Sequence, residues 1–202
     1  MDGVSDHFSF FQITMFSVQV NDFTFSAYYE STEQQVLIIG DSLLRKFNMS
    51  QTDKLFFPGA RADDVAAILQ LPQIRRIIKK YRTICLFYGG NAVNDFPKQG
   101  ILRRAQRPSE ILFDVHYVCE ALSQQHSKIF ILGCPLRLNG TADRIKELNY
   151  ILKNIPTNAK YVSLSSKMAT EYSVHEDEVH LSCLGITYLR SIILHRILKK
   201  IE

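Results

Sequence analysis

Three short stretches carry residue types that do chemistry when brought together: Gly40-Asp41-Ser42, Gly89-Gly90-Asn91 and Asp177-Glu178-Val179-His180. A serine is a poor nucleophile until a base takes its proton, and the base works best when a carboxylate fixes its tautomer. Ser42 follows the apolar run VLIIG, so it falls where a buried strand ends and a helix-like pattern begins. A hydroxyl there sits beside backbone N–H groups that no helical bond has satisfied, a setting that suits a nucleophile and an oxyanion. Asp and Ser at such a junction are also ordinary helix caps, and taken alone GDS reads first as a cap. For the base, six histidines are available. His7 lies near the N-terminus, and His116, His126 and His195 fall within or beside helical patterns. His175 and His180 share the charged stretch YSVHEDEVHLSCLG. These two are five residues apart, not the four that place two zinc ligands on one helical face in His-Glu-x-x-His, so the stretch does not read as a metal site. Asp177, three residues before His180 in a loop, can instead accept the imidazole Nδ1–H and leave Nε2 free for a serine proton.

The elements that must position these groups alternate. FFQITMFSVQV and FTFSAYYES, rich in Phe, Tyr, Val and Thr, flank Asn21-Asp22 and predict a β-hairpin with one covered face. From about residue 32 the pattern becomes strand, helix, strand. Continuous apolar runs predict strands at 36–40, 83–90, 128–133 and 159–164. Helical spacing predicts helices at 62–71, 73–81, 107–126, 141–155 and from about 184 to 201, with Thr141 as an N-cap. Strands that are apolar on both faces, alternating with helices, predict a parallel sheet of about five strands covered on both sides. In such a sheet ligands bind beyond the carboxyl ends of the strands, where GDS and GGN both fall. The division expected is an aromatic-rich extension over 1–31 and one domain over 32–202.

Composition narrows the class. At 202 residues, 46% hydrophobic and 22% charged, the chain has the make-up of a globular protein with a sizeable core. Net charge is +4, which permits a nucleic-acid surface without demanding one. The basic residues that could track phosphates are Arg75, Arg76, Lys79, Lys80 and Arg82, then Arg103, Arg104 and Arg107, with Lys199 and Lys200. Asp63, Asp64, Glu110 and Asp114 interrupt that field. Cys85, Cys119 and Cys134 lie in apolar runs and read as buried thiols, and with Cys183 they form no CxxC pair. No leader pattern opens the chain and no apolar run is long enough to span a bilayer, so the expected location is intracellular.

Together the motifs resemble the SGNH (GDSL) hydrolases. GDSLL at 40–44, Gly59 in FFPGARADDV, GGN at 89–91 and DEVH at 177–180 occur in the order of that family's four blocks, and the similarity spans residues 36–190. The combination GDSLLR, PGARADD, GGN and HLS-x-x-G is most similar to small esterase domains encoded by some retrotransposons. The resemblance implies a three-layer flavodoxin-like fold and hydrolysis of an acyl ester through an acyl-enzyme. It implies Ser42 as nucleophile, His180 as base and Asp177 as the partner of that base. Ser42, Gly59 and Asn91 would form the oxyanion hole, and no cofactor or metal is called for. Substrates handled by similar proteins include short acyl esters, acetylated sugars and lysolipids. One position departs: the family's third block usually reads Gly-x-Asn-Asp, and here Ala92 follows Asn91. Two other uses compete with catalysis: the fold as an RNA-binding module, and pairing of two subunits through the edge of the N-terminal hairpin.

Overall fold

The computed structural model describes residues 12–124, 128–135, 141–164 and 180–200. Residues 1–11 of the expected extension and the ends of two expected helices, at 125–126 and 201, lie outside them. The hairpin is present: β1 (Gln12–Val20) and β2 (Phe23–Ser31) pair antiparallel from Gln12↔Ser31 to Val20↔Phe23. Asn21 and Asp22 have φ of 49° and 64°, the two left-handed residues that a twist-matched two-residue hairpin turn requires. Next come β3 (Val36–Gly40), β4 (Asp53–Phe56), α1 (Ala62–Ile68), α2 (Pro72–Ile78) and β5 (Thr83–Phe87). A small hairpin, β6 (Phe96–Lys98) and β7 (Ile101–Arg103), precedes α3 (Pro108–Ser123), β8 (Lys128–Leu132), α4 (Ala142–Lys153), β9 (Lys160–Val162) and α5 (Cys183–Arg196).

The main sheet runs β1-β2-β4-β3-β5-β8-β9. Its last five strands are mutually parallel, in the flavodoxin-like order with β3 at the switch in chain direction. The β1–β2 hairpin extends this sheet to seven strands through antiparallel pairing of β2 with β4. Both faces are covered at the centre of the sheet, which is why β3 and β5 are buried at every position. On one face Leu37, Ile39, Ile84 and Leu86 pack with residues of α1 to α4; on the other Val36, Ile38, Cys85 and Phe87 pack with α5.

β4 was not foreseen from its sequence, because its first two residues are Asp53 and Lys54, yet both are buried. Asp53 takes hydrogen bonds from the Ser31 hydroxyl (2.9 Å), the Thr32 amide (2.7 Å) and hydroxyl (3.0 Å), and the Tyr81 hydroxyl (2.6 Å). Those bonds close the N-terminal end of β4 onto the exit of the hairpin. The β6–β7 hairpin was likewise unforeseen. Gln99 and Gly100 form its tip with φ of 50° and 80°.

The ladder between β2 and β4 covers only Tyr28 to Glu30. Because β2 is antiparallel to β4, residues 23–27 run on past the carboxyl end of β4, by about 16 Å at 3.3 Å per residue. Phe23, Phe25 and Ala27 on that overhang are buried. The β6–β7 hairpin braces it: the Gln99 side chain bonds both backbone groups of Thr24 (3.4 and 3.1 Å), and the Lys98 ammonium sits 3.3 Å from the centroid of the Phe25 ring. Among the described residues no helix is long and apolar enough to cross a membrane. Cys85, Cys119 and Cys134 are buried free thiols, while Cys183 is exposed.

Candidate active site

Ser42 opens a single 3₁₀ turn, Ser42–Leu44, directly after β3. Two neighbours dictate that placement. Gly40 has no room for a side chain, since a Cβ there would stand 2.7 Å from both Leu44 Cδ1 and the Phe87 carbonyl oxygen. Asp41, fully buried, caps the turn by accepting the Leu43 N–H at 2.9 Å. The cap that the sequence suggests is thus real, and it is made by Asp41, not by Ser42. The exit of the turn is held by Lys54, whose ammonium donates to the carbonyls of Leu44 (3.2 Å) and Phe47 (2.6 Å) and to Asn48 Oδ1 (2.9 Å), and pairs with Glu30 at 3.1 Å. Burial pulls the pKa of that ammonium down, against the opposing pull of Glu30.

His180 reaches the same place from the far end of the chain. Its Nε2 lies 3.1 Å from Ser42 Oγ. Buried Leu181 anchors the next residue, and Ser182 caps α5 by accepting the Gly185 N–H at 3.1 Å. Asp177 lies outside the described residues. Ser42 and His180 line an open cleft of about 220 Å³, walled by Leu43, Leu181 and Ile186 with Arg45 and Lys46 at its rim.

Gly59 and Asn91 follow the two strands that flank β3. Register sets Gly40 beside Phe56 of β4 and Phe87 of β5, so all three carboxyl ends are level. Gly59 lies in the turn after β4 with φ of 73°, a conformation that favours glycine. The turn is tied to β3 by Phe57 N–H donating to the Gly40 carbonyl at 3.0 Å. Asn91 lies in the 3₁₀ turn Gly90–Val93, entered through Gly89 at φ 112°. Its Nδ2 donates to the Ala60 carbonyl at 3.2 Å, so the two loops touch. Ala92 is fully buried.

One sequence expectation is corrected here. Arg103 does not belong to a solvent-facing basic cluster. Only 9% of it is exposed, and it pairs with Asp64 at 2.5 Å and Asp63 at 2.8 Å. Arg107 is exposed, but Glu110 holds it. Sequence reading also missed Arg45, Lys46, Leu181 and Ile186 as cleft residues. The two cations directly follow the GDSLL motif, and that adjacency was the available signal.

No family model matches the sequence, and no curated protein does. Solved structures match well. TesA superposes with a TM-score of 0.63 at 14% identity, over 80% of this chain and 96% of that one. A GDSL-like lipase from Bacteroides thetaiotaomicron gives 0.64 at 14%, over 83% and 89%. Axe2, an acetylxylan esterase from Geobacillus stearothermophilus, gives 0.61 at 17%, over 80% and 92%. The likeness is one of fold: this chain has the three-layer fold of the SGNH (GDSL) hydrolases.

Proposed function

We propose that the chain is a serine esterase of the SGNH type acting on small acyl esters. The observation that carries this reading is the 3.1 Å approach of His180 Nε2 to Ser42 Oγ in an open cleft at the carboxyl end of the sheet. An imidazole protonated at Nδ1 accepts the Ser42 proton as Oγ attacks the ester carbonyl carbon. The carbonyl oxygen becomes the oxyanion, for which the Ser42 and Gly59 N–H groups and the Asn91 amide are the assigned donors. The imidazolium then gives its proton to the departing alcohol, leaving an acyl-enzyme. Water, deprotonated by the same imidazole, releases the acid and restores Ser42. Asp177 is assigned to Nδ1 from its place in the DEVH motif. The apolar walls of the cleft, Leu43, Leu181 and Ile186, suit a short acyl group. The fold shared with an acetylxylan esterase and a GDSL-like lipase supports the reading.

A fluorophosphonate probe tests the reading without knowledge of the substrate, because it labels only an activated serine. The wild-type protein is expected to label and Ser42→Ala to remain unlabelled with a nearly unchanged melting temperature, since a half-buried hydroxyl lining an open cleft adds little stability. Asn91→Ala is expected to lower kcat on a short-chain ester by roughly a hundredfold or more with KM nearly unchanged. A wild-type protein that neither labels nor hydrolyses sinks the reading. Unchanged kcat in Asn91→Ala removes Asn91 from the oxyanion hole.

A further inference from the structure

Behind Gly59 and Asn91 lies a buried ion-pair cluster that the mechanism above does not use. Asp64, in the first turn of α1, is fully buried, and its Oδ2 accepts both the Arg61 N–H (2.9 Å) and Arg103 Nη1 (2.5 Å). The second arm of the Arg103 fork reaches Asp63 Oδ2 at 2.8 Å. Arg61 returns the connection, its Nη1 donating to the Arg104 carbonyl at 2.6 Å. Two arginines therefore cross between the start of α1 and the end of β7.

Each side of that crossing is one step from a proposed oxyanion donor. Arg61 follows Gly59-Ala60 directly. On the other side, the Gln106 N–H donates to the Ala92 carbonyl at 2.7 Å, next to Asn91. Asn91 Nδ2 on the Ala60 carbonyl then completes a closed ring, from Ala60 through Arg61, Asp64, Arg103, Gln106 and Ala92 back to Asn91. At position 92, where the resembling family usually has an aspartate, this chain has a buried methyl group that can bond to nothing.

We infer that Arg103, acting through Asp64, is a positioning residue that sets the Gly59 and Asn91 loops at the spacing an oxyanion needs, doing with a remote ion pair what an aspartate at position 92 would do locally. The inference rests on the esterase reading above. Only a guanidinium serves, because its planar fork engages both carboxylates at once. Truncating it strands the buried Asp64 carboxylate, so the start of α1 must shift to rehydrate it, and the loop that carries Gly59 shifts with it. Misplacement of a donor by a fraction of an ångström weakens the transition state far more than substrate binding.

The test pairs kinetics with hydrogen exchange on the intact chain. Arg103→Gln is expected to lower kcat about ten- to a hundredfold with KM within about twofold. Arg103→Lys, which keeps the charge but not the fork, is expected to fall between the two proteins. Asp64→Asn, nearly isosteric, is the second variant should Arg103→Gln fold poorly, and it is expected to show the same kcat loss. Amide exchange in both variants is expected to rise in segments 57–61 and 89–93 together, while β8 and α5 stay protected. A kcat unchanged in a folded Arg103→Gln protein that still labels with fluorophosphonate overturns the inference and leaves the esterase reading standing. Should the wild type show no activity, exchange decides alone: a joint rise in the two segments upholds the coupling, and unchanged exchange overturns it.

Discussion

Two buried aspartates, Asp53 and Asp64, solve the same physical problem in opposite ways. Asp53, at the amino end of β4, gathers neutral donors from Ser31, Thr32 and Tyr81. Asp64, just beyond the carboxyl end of the same strand, meets a guanidinium and a backbone N–H. A carboxylate leaving water needs hydrogen-bond donors. Asp53 has them on both oxygens, whereas the donors of Asp64 converge on Oδ2 and its buried Oδ1 has none among the described residues. The two also differ in what each holds. Asp53 fastens the N-terminal hairpin to the end of the sheet remote from the cleft, whereas Asp64 sits behind the loops of Gly59 and Asn91. The same kind of loss should therefore read out as stability at one end and as rate at the other.

The largest expected effect breaks the first half of that comparison. Asp53→Ala leaves the Ser31, Thr32 and Tyr81 donors facing an apolar void, and is expected to lower unfolding free energy by roughly 3 kcal/mol. Urea unfolding measures the loss, and kcat of the folded protein should stay within about twofold because the sites are far apart. A kcat that falls along with stability would erase the distinction between the two aspartates. Tyr81→Phe sharpens it, removing one neutral donor while three remain on Asp53. Burial and the Asp53 carboxylate raise the Tyr81 phenol well above its ordinary range, so it stays protonated; its single O–H goes to Asp53, and it accepts from the Tyr29 hydroxyl at 2.5 Å. The expected loss is about 1 kcal/mol, with no kinetic change.

The smallest effect probes the charge around Asp64. Burial pushes the Lys98 ammonium down to about 8, with Asp64 pulling it up and Arg103 pushing it further down. The unfolded chain holds that proton up to about pH 10.4, so between these values the unfolded state binds more protons and stability rises with pH. Below about pH 8 both states are protonated and this contribution is flat. Lys98→Met should remove that part of the slope, seen as a smaller difference in unfolding free energy between pH 8 and pH 10. Equal slopes in the two proteins would mean that burial does not destabilise the Lys98 ammonium.

The two aspartates also mark where sequence reading succeeds and where it stops. Four of the five parallel strands were legible, most plainly β3 and β5, which are buried on both sides and so leave the continuous apolar runs VLIIG and TICLF bounded by Gly or polar residues. The nucleophile candidate was legible because Gly40 must be small where β3 meets Leu44 and the Phe87 carbonyl. β4 was not legible, since Asp53 and Lys54 look like surface residues until partners from Ser31, Tyr81, Phe47 and Glu30 are folded onto them. The Asp64–Arg103 pair spans 39 residues and leaves no local pattern, so Arg103 read as one more surface cation. Tertiary partners far apart in sequence convert polar residues into core, and periodicity carries no trace of them.

Ser42 and His180 are 138 residues apart, and that separation has a consequence for synthesis. The strands on either side of Ser42, at 53–56 and 83–87, leave the ribosome soon after it, so the turn that presents the hydroxyl can form early. At ordinary translation rates His180 follows roughly 7 to 28 s later. Throughout that interval the growing chain would display its serine without a base, and a bare hydroxyl is inert towards esters. On the esterase reading, the nascent protein is chemically silent while the cleft is still open to every small ester and lipid in its surroundings. It becomes reactive only when the segment carrying His180 packs against a sheet that has already formed.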